Sequence, residues 1–253
     1  MEKRYAVVAG SAGGIGSECA RMLLAQGWEV FGLDVREHEP AMSADAGPGT
    51  FTPLRCDVSD TASVEAAFAA IAGHTRSLNA LVCCTGIIRV GALDQMSIEA
   101  FDAIFAVNVR GPWLCARTAV PLLEGGSSSD YPSRIIFLSS VAAFRPKLNG
   151  GAYAATKAAL ETITRAFAGE LAPRGILVNA VAPGPVDTPF VKQASASAPS
   201  GSYKPGGQSP IPLGRMASSR DVVNLMKFLL SNDSNNLVGS IVATDGGISA
   251  VRM

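Results

Sequence analysis

The sequence predicts an α/β fold, a doubly wound parallel sheet of seven strands with helices on both faces, and three observations carry that prediction. Short apolar runs alternate with segments of helical period along the chain. A glycine-rich turn, Gly10-Ser11-Ala12-Gly13-Gly14-Ile15-Gly16, stands where the first apolar run gives way to the first helical segment. No change of composition and no internal repeat divides the 253 residues, so one domain spanning 1–253 is expected. A domain of that size buries roughly 70 to 75% of its unfolded surface, enough for a substantial core.

The predicted strands are 5–9, 29–33, 51–55, 79–83, 134–138, 176–181 and 240–243, and the predicted helices are 15–26, 60–72, 97–107, 110–123, 152–172 and 219–230. In such sheets ligands sit beyond the carboxyl ends of the strands, so the residues that follow each strand are the candidates. After the first strand, Gly10, Ser11, Gly13, Gly14, Ile15 and Gly16 form a turn whose backbone can approach a pyrophosphate at a helix N-terminus. The spacing is Gly-x-x-x-Gly-x-Gly and differs from the Gly-x-Gly-x-x-Gly dinucleotide fingerprint. The second strand runs into Asp34-Val35-Arg36, with Asp34 18 residues beyond Gly16. A carboxylate there accepts from an adenosine 2′-hydroxyl and repels a 2′-phosphate, favouring NAD over NADP. Arg36 reads as solvated, and would pair with a 2′-phosphate if it turned inward.

After the third strand, Asp57-Val58 either reaches an adenine amino group or closes a turn, and Ser59 or Asp60 can cap the next helix. The fourth strand leads into Cys83-Cys84-Thr85-Gly86. Asn108 lies within an apolar helical pattern just before Gly111-Pro112, and a buried Asn needs hydrogen-bond partners. The fifth strand delivers Ser139-Ser140, where a hydroxyl can donate to a developing alkoxide or a carbonyl oxygen. Tyr153 and Lys157 then share one face of the helix predicted over 152–172. A phenol titrates near about 10, and a neighbouring cation lowers that by roughly 1 to 3 units, which makes a phenolate usable near neutrality. The sixth strand is followed by Pro183-Gly184-Pro185-Val186-Asp187-Thr188, and then by a connection rich in Ser, Ala, Gly and Pro, where a substrate lid is expected over 190–212. Thr244-Asp245-Gly246-Gly247 closes the last strand.

Lys+Arg and Asp+Glu number 21 each, so the net charge is zero and nothing points to nucleic acid or an anionic membrane. The five cysteines contain no Cys-x-x-Cys pair, which argues against a zinc site or a disulfide framework; no metal is expected. The N-terminal apolar run is too short for a signal peptide and no stretch reaches 18 apolar residues, so a soluble, cytoplasmic protein is expected. The two histidines, His38 and His74, fall in predicted connecting segments, away from any serine-bearing turn, and give no triad base.

The Gly10-x-x-x-Gly14-x-Gly16 turn, Asp34, Asp57, Asn108, Ser140, Tyr153-x-x-x-Lys157 and Pro183-Gly184 occur in the order and approximate spacing of the classical short-chain dehydrogenases/reductases, which the chain resembles over essentially its whole length. The resemblance implies a single-domain Rossmann fold and an NAD-dependent oxidoreductase that moves a hydride between a nicotinamide and a secondary alcohol or ketone of a small molecule. It assigns Ser140, 13 residues before Tyr153, to the substrate oxygen in preference to Ser139. By the same resemblance Tyr153 transfers the proton, Lys157 supports Tyr153 and binds the nicotinamide ribose, and Asn108 kinks its helix and links Lys157 to solvent. Val186 and Thr188 would meet the carboxamide. The family's Asn-Asn-Ala-Gly after the fourth strand is here Cys83-Cys84-Thr85-Gly86, so the support of those asparagines must come from elsewhere, while Gly86 and the backbone of Cys84 remain as contacts on the cofactor wall. Two small apolar-like residues explain the adjacent cysteines better than a strained vicinal disulfide. A homotetramer through the helices of 96–123 and 152–172 is also implied. Two alternatives stand beside this reading: an NADPH-dependent ketone or 3-oxoacyl reductase, and a dinucleotide-binding sensor without catalysis. The expected substrate walls are 87–90, 141–149 and 184–212, with Arg145 a candidate partner for a substrate carboxylate.

Overall fold

The computed structural model describes residues 3–38, 42, 47–191 and 211–250. Seven strands, β1 (Tyr5–Ala9), β2 (Glu29–Asp34), β3 (Thr50–Arg55), β4 (Ala80–Cys83), β5 (Ser133–Leu138), β6 (Ile176–Pro183) and β7 (Ile241–Thr244), form one sheet in the order β3-β2-β1-β4-β5-β6-β7. Every pairing is parallel. Strand side chains alternate between the two faces, and both faces are apolar. Val7, Ala9, Leu81, Cys83, Ile135 and Phe137 enter one core with residues of α2 (Thr61–His74), α4 (Gly111–Gly126) and α5 (Gly151–Leu171). Ala6, Val8, Ala80, Val82 and Ile136 enter the other with α1 (Gly14–Ala25) and α6 (Ser219–Leu229). This is the doubly wound Rossmann arrangement that the alternating pattern predicts.

The chain winds outward from β1 through β2 to β3, then returns to lay β4 on the other side of β1. The connections beyond β1 and β4 therefore leave in opposite directions, and a crevice opens at their carboxyl ends. That crevice holds the candidate site.

Helix boundaries follow local chemistry. Asp60 caps α2 by accepting from the Ala62 N–H at 3.1 Å, and Ser218 with Asp221 forms a capping box on α6. The two helices predicted over 97–107 and 110–123 are one uninterrupted helical run. α3 (Ile98–Phe105) passes through a π-helical turn, Ala106–Arg110, directly into α4. Pro112, near the start of α4, lacks the N–H that a regular α-helix would need there, and the π turn takes up the mismatch. His74 is the last residue of α2, not part of a connection, and its ring lies edge-on to Tyr5 and Phe31. Most of the lid expected over 190–212 falls outside the described residues; Phe190, Val191 and 211–212 are inside them.

Candidate active site

The glycine-rich turn is built by close backbone approach. Gly10 adopts φ +83°, and a Cβ there would stand 2.7 Å from the Thr85 N on the neighbouring strand exit. A side chain on Gly16 would collide with the Gly10 carbonyl oxygen. The Gly10 N–H donates to Leu33 O at 2.7 Å, fixing the turn to the end of β2. Ser11 is fully buried, its hydroxyl 3.3 Å from Leu33 O and 2.7 Å from His38 Nε2, so it braces the turn from behind.

A cleft of about 570 Å³ runs from this turn along the carboxyl ends of the strands. At one end lie Asp34, Val35, Arg36, Asp57 and Val58. Asp34 accepts from the Ala12 and Arg36 N–H groups, both at 3.0 Å. Arg36 Nε and Nη2 also reach it, at 3.2 and 3.3 Å, so Arg36 folds back onto Asp34 and is not simply solvated. Burial pushes the Asp34 carboxyl up, but these hydrogen bonds and the Arg36 charge outweigh it and hold the group below the usual carboxylate range. Asp57 accepts from Ser59 N–H at 2.9 Å and Ser59 Oγ at 2.7 Å, which closes its turn. Arg110 of the π turn donates to Ser59 O, and Val58 packs where a side chain on Gly111 would be.

The other end of the cleft is formed by Ile87, Leu138, Ser139, Ser140, Tyr153, Lys157, Phe190 and Val191. Strand ends β2 and β5 are three positions apart in the sheet, a span of about 14 Å at the usual strand spacing. Tyr153 and Lys157 sit on successive turns of α5, with Lys157 Nζ 5.6 Å from the Tyr153 ring centre and 2.6 Å from Leu138 O. Burial lowers the Lys157 pKa from 10.5 to about 8. Ser140 leaves the sheet in extended conformation, and its Oγ accepts from the Ala142 N–H at 3.2 Å. Asn108 is buried and its amide makes three hydrogen bonds. Oδ1 accepts from Ile87 N–H at 2.8 Å, and Nδ2 donates to Ile87 O at 2.8 Å and Thr156 Oγ1 at 3.1 Å. Thr156 in turn donates to Tyr153 O at 2.7 Å.

Cys83 and Cys84 point to opposite faces and are free thiols. Cys83 hydrogen-bonds Cys115 of α4 inside the core, which raises its pKa together with burial; burial pushes Cys84 up to about 12. Both are neutral at physiological pH. Beyond β6, Val186 and Thr188 are buried, and Ala217 pairs with Val186 as an isolated bridge. Arg145 donates to Ile248 O and Arg89 to Ile88 O at 3.2 Å, so both guanidinium groups are engaged by backbone carbonyls.

Of the residues expected from sequence, Gly10, Gly13, Gly14, Ile15, Gly16, Asp34, Val35, Asp57, Val58, Cys84, Gly86, Ser140, Tyr153, Lys157, Pro183, Val186 and Thr188 line this one cleft. Ser11, Asn108 and Gly184 do not line it. The contacts not anticipated are those of His38, Arg110, Ser139, Thr156 and Glu161. Their partners lie from 3 to 51 residues away, and no short motif announces them. The cleft suits a dinucleotide: its glycine turn leaves a floor without side chains, and a Cβ on Gly14 would come within 3.1 Å of Thr188 Cγ2. A carboxylate stands at one end, and a phenol with an ammonium at the other.

A family model described as "Enoyl-(Acyl carrier protein) reductase" matches residues 9–249. The chain is 34% identical over 253 residues to cis-4-hydroxycyclohexanecarboxylate dehydrogenase of Sinomonas cyclohexanicum, covering 98% of each chain. It is 31% identical over 252 residues to 2,5-dichloro-2,5-cyclohexadiene-1,4-diol dehydrogenase of Sphingobium indicum, covering 97% of this chain and 96% of that one. Among solved structures it resembles 3-ketoacyl-(acyl-carrier-protein) reductase from Brucella melitensis complexed with NADH, with a TM-score of 0.87, 27% identity, and coverage of 98% and 99%.

Proposed function

The chain belongs to the short-chain dehydrogenase/reductase family, and from that premise we propose that it is an NAD-preferring dehydrogenase of secondary alcohols carried on a compact, apolar ring. The observation that carries this reading is that one cleft is lined both by the glycine-rich turn and by Ser140, Tyr153 and Lys157. In the oxidation direction the Tyr153 phenolate takes the hydroxyl proton of the alcohol. Ser140 donates a hydrogen bond to the same oxygen, holding it against Tyr153 as it becomes a carbonyl. The Lys157 ammonium, 5.6 Å from the phenol ring, favours the phenolate. The proton leaves through the gap beside Gly86, where a Cβ would stand 3.6 Å from Asn108 Oδ1 and 3.7 Å from Lys157 Nζ. Asn108 also holds the helix that carries Tyr153, through Thr156.

Gly10, Gly13 to Gly16, Asp34, Val35, Asp57, Val58, Cys84, Gly86, Pro183, Val186 and Thr188 would hold the cofactor, with Ser11 bracing the turn. A nicotinamide held there would supply the acceptor for the hydride that leaves the alcohol carbon. Asp34, charged at neutral pH, supports NAD by repelling a 2′-phosphate. A second reading rests on Arg36: if it releases Asp34 and swings outward it can pair with that phosphate, making the protein an NADPH-dependent ketone reductase. The ring alcohol is supported by the walls at the Tyr153 end, where Ile87, Leu138, Phe190 and Val191 are apolar and, among the described residues, the only carboxylates and guanidinium of the lining are Asp34, Asp57 and Arg36 at the far end. We further propose a homotetramer that covers the exposed apolar residues Ile98, Phe101 and Trp113 of the α3–α4 run.

Initial rates over a panel of cyclic secondary alcohols with NAD and NADP test the reading. Tyr153→Phe is expected to abolish turnover and to leave NADH binding, followed by fluorescence, within about twofold. Unchanged turnover in that variant would sink the assignment of Tyr153. Asp34→Ala is expected to lower the ratio of NAD to NADP efficiency by about tenfold or more, and an unchanged ratio would transfer the preference to Arg36.

A further inference from the structure

We infer that Glu161 is a positioning residue that, through the Ser139 hydroxyl, sets where Ser140 stands relative to Tyr153; the inference rests on the roles proposed above for those two residues. Tyr153, Lys157 and Glu161 are spaced four apart on α5 and share one helix face. That face grips the end of β5 at two consecutive residues. Lys157 Nζ donates to Leu138 O at 2.6 Å, and one turn later Glu161 Oε1 accepts from Ser139 Oγ at 2.9 Å. Ser140 is the next residue in the chain.

Both members of the second contact are sequestered, with Ser139 2% and Glu161 8% exposed. Taking a carboxylate out of water is costly unless it is hydrogen-bonded, so apolar packing alone would favour leucine here. The other Glu161 oxygen lies 3.7 Å from Arg165 Nη2, too long for a strong hydrogen bond, and the Arg165 side chain is largely exposed. The Ser139 N–H donates to Val181 O at 2.8 Å, so its main chain is pinned to β6 while its side chain is pinned to α5. The two ties together fix the direction in which the chain leaves the sheet, and the Ser140 hydroxyl is carried on that exit. Lys157 also ties this face to the strand end, but through a main-chain carbonyl one residue further from Ser140.

The test compares wild type with Glu161→Gln, Glu161→Leu, Ser139→Ala and the Glu161→Leu/Ser139→Ala double variant, using NAD and the cyclic alcohol that wild type oxidises fastest. Expected are a fall in kcat of about tenfold or more for Glu161→Leu and for Ser139→Ala, with NAD KM and NADH affinity within about twofold. Glu161→Gln, which keeps an oxygen acceptor, should stay within about threefold of wild type, and the double variant should be no worse than the poorer single variant. Undiminished kcat in Ser139→Ala, or losses that simply add in the double variant, would overturn the role. Ser139→Ala removes one oxygen and carries the test if the leucine variant does not fold. Wild type that binds NADH but oxidises no alcohol in the panel would instead overturn the dehydrogenase reading, and the role of Glu161 with it.

Discussion

Lys157 carries its charge at an energetic cost. Its folded pKa is lowered from 10.5 to about 8 because the ammonium is buried, where it donates to Leu138 O. The unfolded chain keeps this proton up to about pH 10.5, whereas the folded chain gives it up from about pH 8. Stability therefore rises with pH through that window, and below it the buried cation costs roughly 3 kcal/mol. Lys157→Met is expected to abolish turnover and yet to unfold at higher urea than wild type at pH 7, with the advantage shrinking as pH approaches 10. An advantage of equal size at both pH values would contradict this account. Asp34 shows the opposite balance at the other end of the cleft. Its hydrogen bonds from Ala12 and Arg36 are made to the ionised form, so its contribution is complete above the usual carboxylate pKa and is lost as the pH falls through its lowered value.

At the scale of elements, the π turn between α3 and α4 connects both ends of the cleft. Arg110 holds Ser59, Gly111 admits Val58, and Asn108 holds Ile87 and Thr156. A regular α-helix would rotate Asn108 relative to Gly111 by a fraction of a turn, and one of these sets of contacts would be lost. Asn108→Ala leaves the Ile87 N–H and C=O without their side-chain partner, and the expected loss is about 1 to 3 kcal/mol of stability, read from urea unfolding. The same variant should speed hydrogen exchange at the Ile87 amide, and unaltered exchange there would show that this contact does not hold the segment. Why the run passes through a π turn was not legible from the residues. Asn108, Gly111 and Pro112 suggest an interruption, but whether the chain breaks or absorbs the mismatch depends on what Asn108 finds across the fold.

For the whole molecule, the described surface bears on assembly. Ile98, 75% exposed, lies on the same helical run as the exposed rings of Phe101 and Trp113, and water disfavours an apolar patch of that kind. Light scattering on the eluted protein should give the mass of four chains, and Ile98→Glu combined with Phe101→Glu should reduce it; a wild-type mass of one chain would refute the tetramer. The sequence by itself determined the alternation of strands and helices, the glycine turn, Asp34 and the Tyr153–Lys157 pair. Each of these is a local pattern, in which spacing along one turn, strand or helix already states the geometry. Only the tertiary structure decided that Arg36 folds onto Asp34, that Cys83 pairs with Cys115, that Asn108 reaches Thr156, and that Ser139 is tied to Glu161. Most of these contacts join residues tens of positions apart, brought together by the order of strands in the sheet. The Arg36 fork is close in sequence, but its direction depends on the Ala12 turn that presents the carboxylate. Local spacing marked the groups proposed to do the chemistry, and the packing of distant segments sets how they are held.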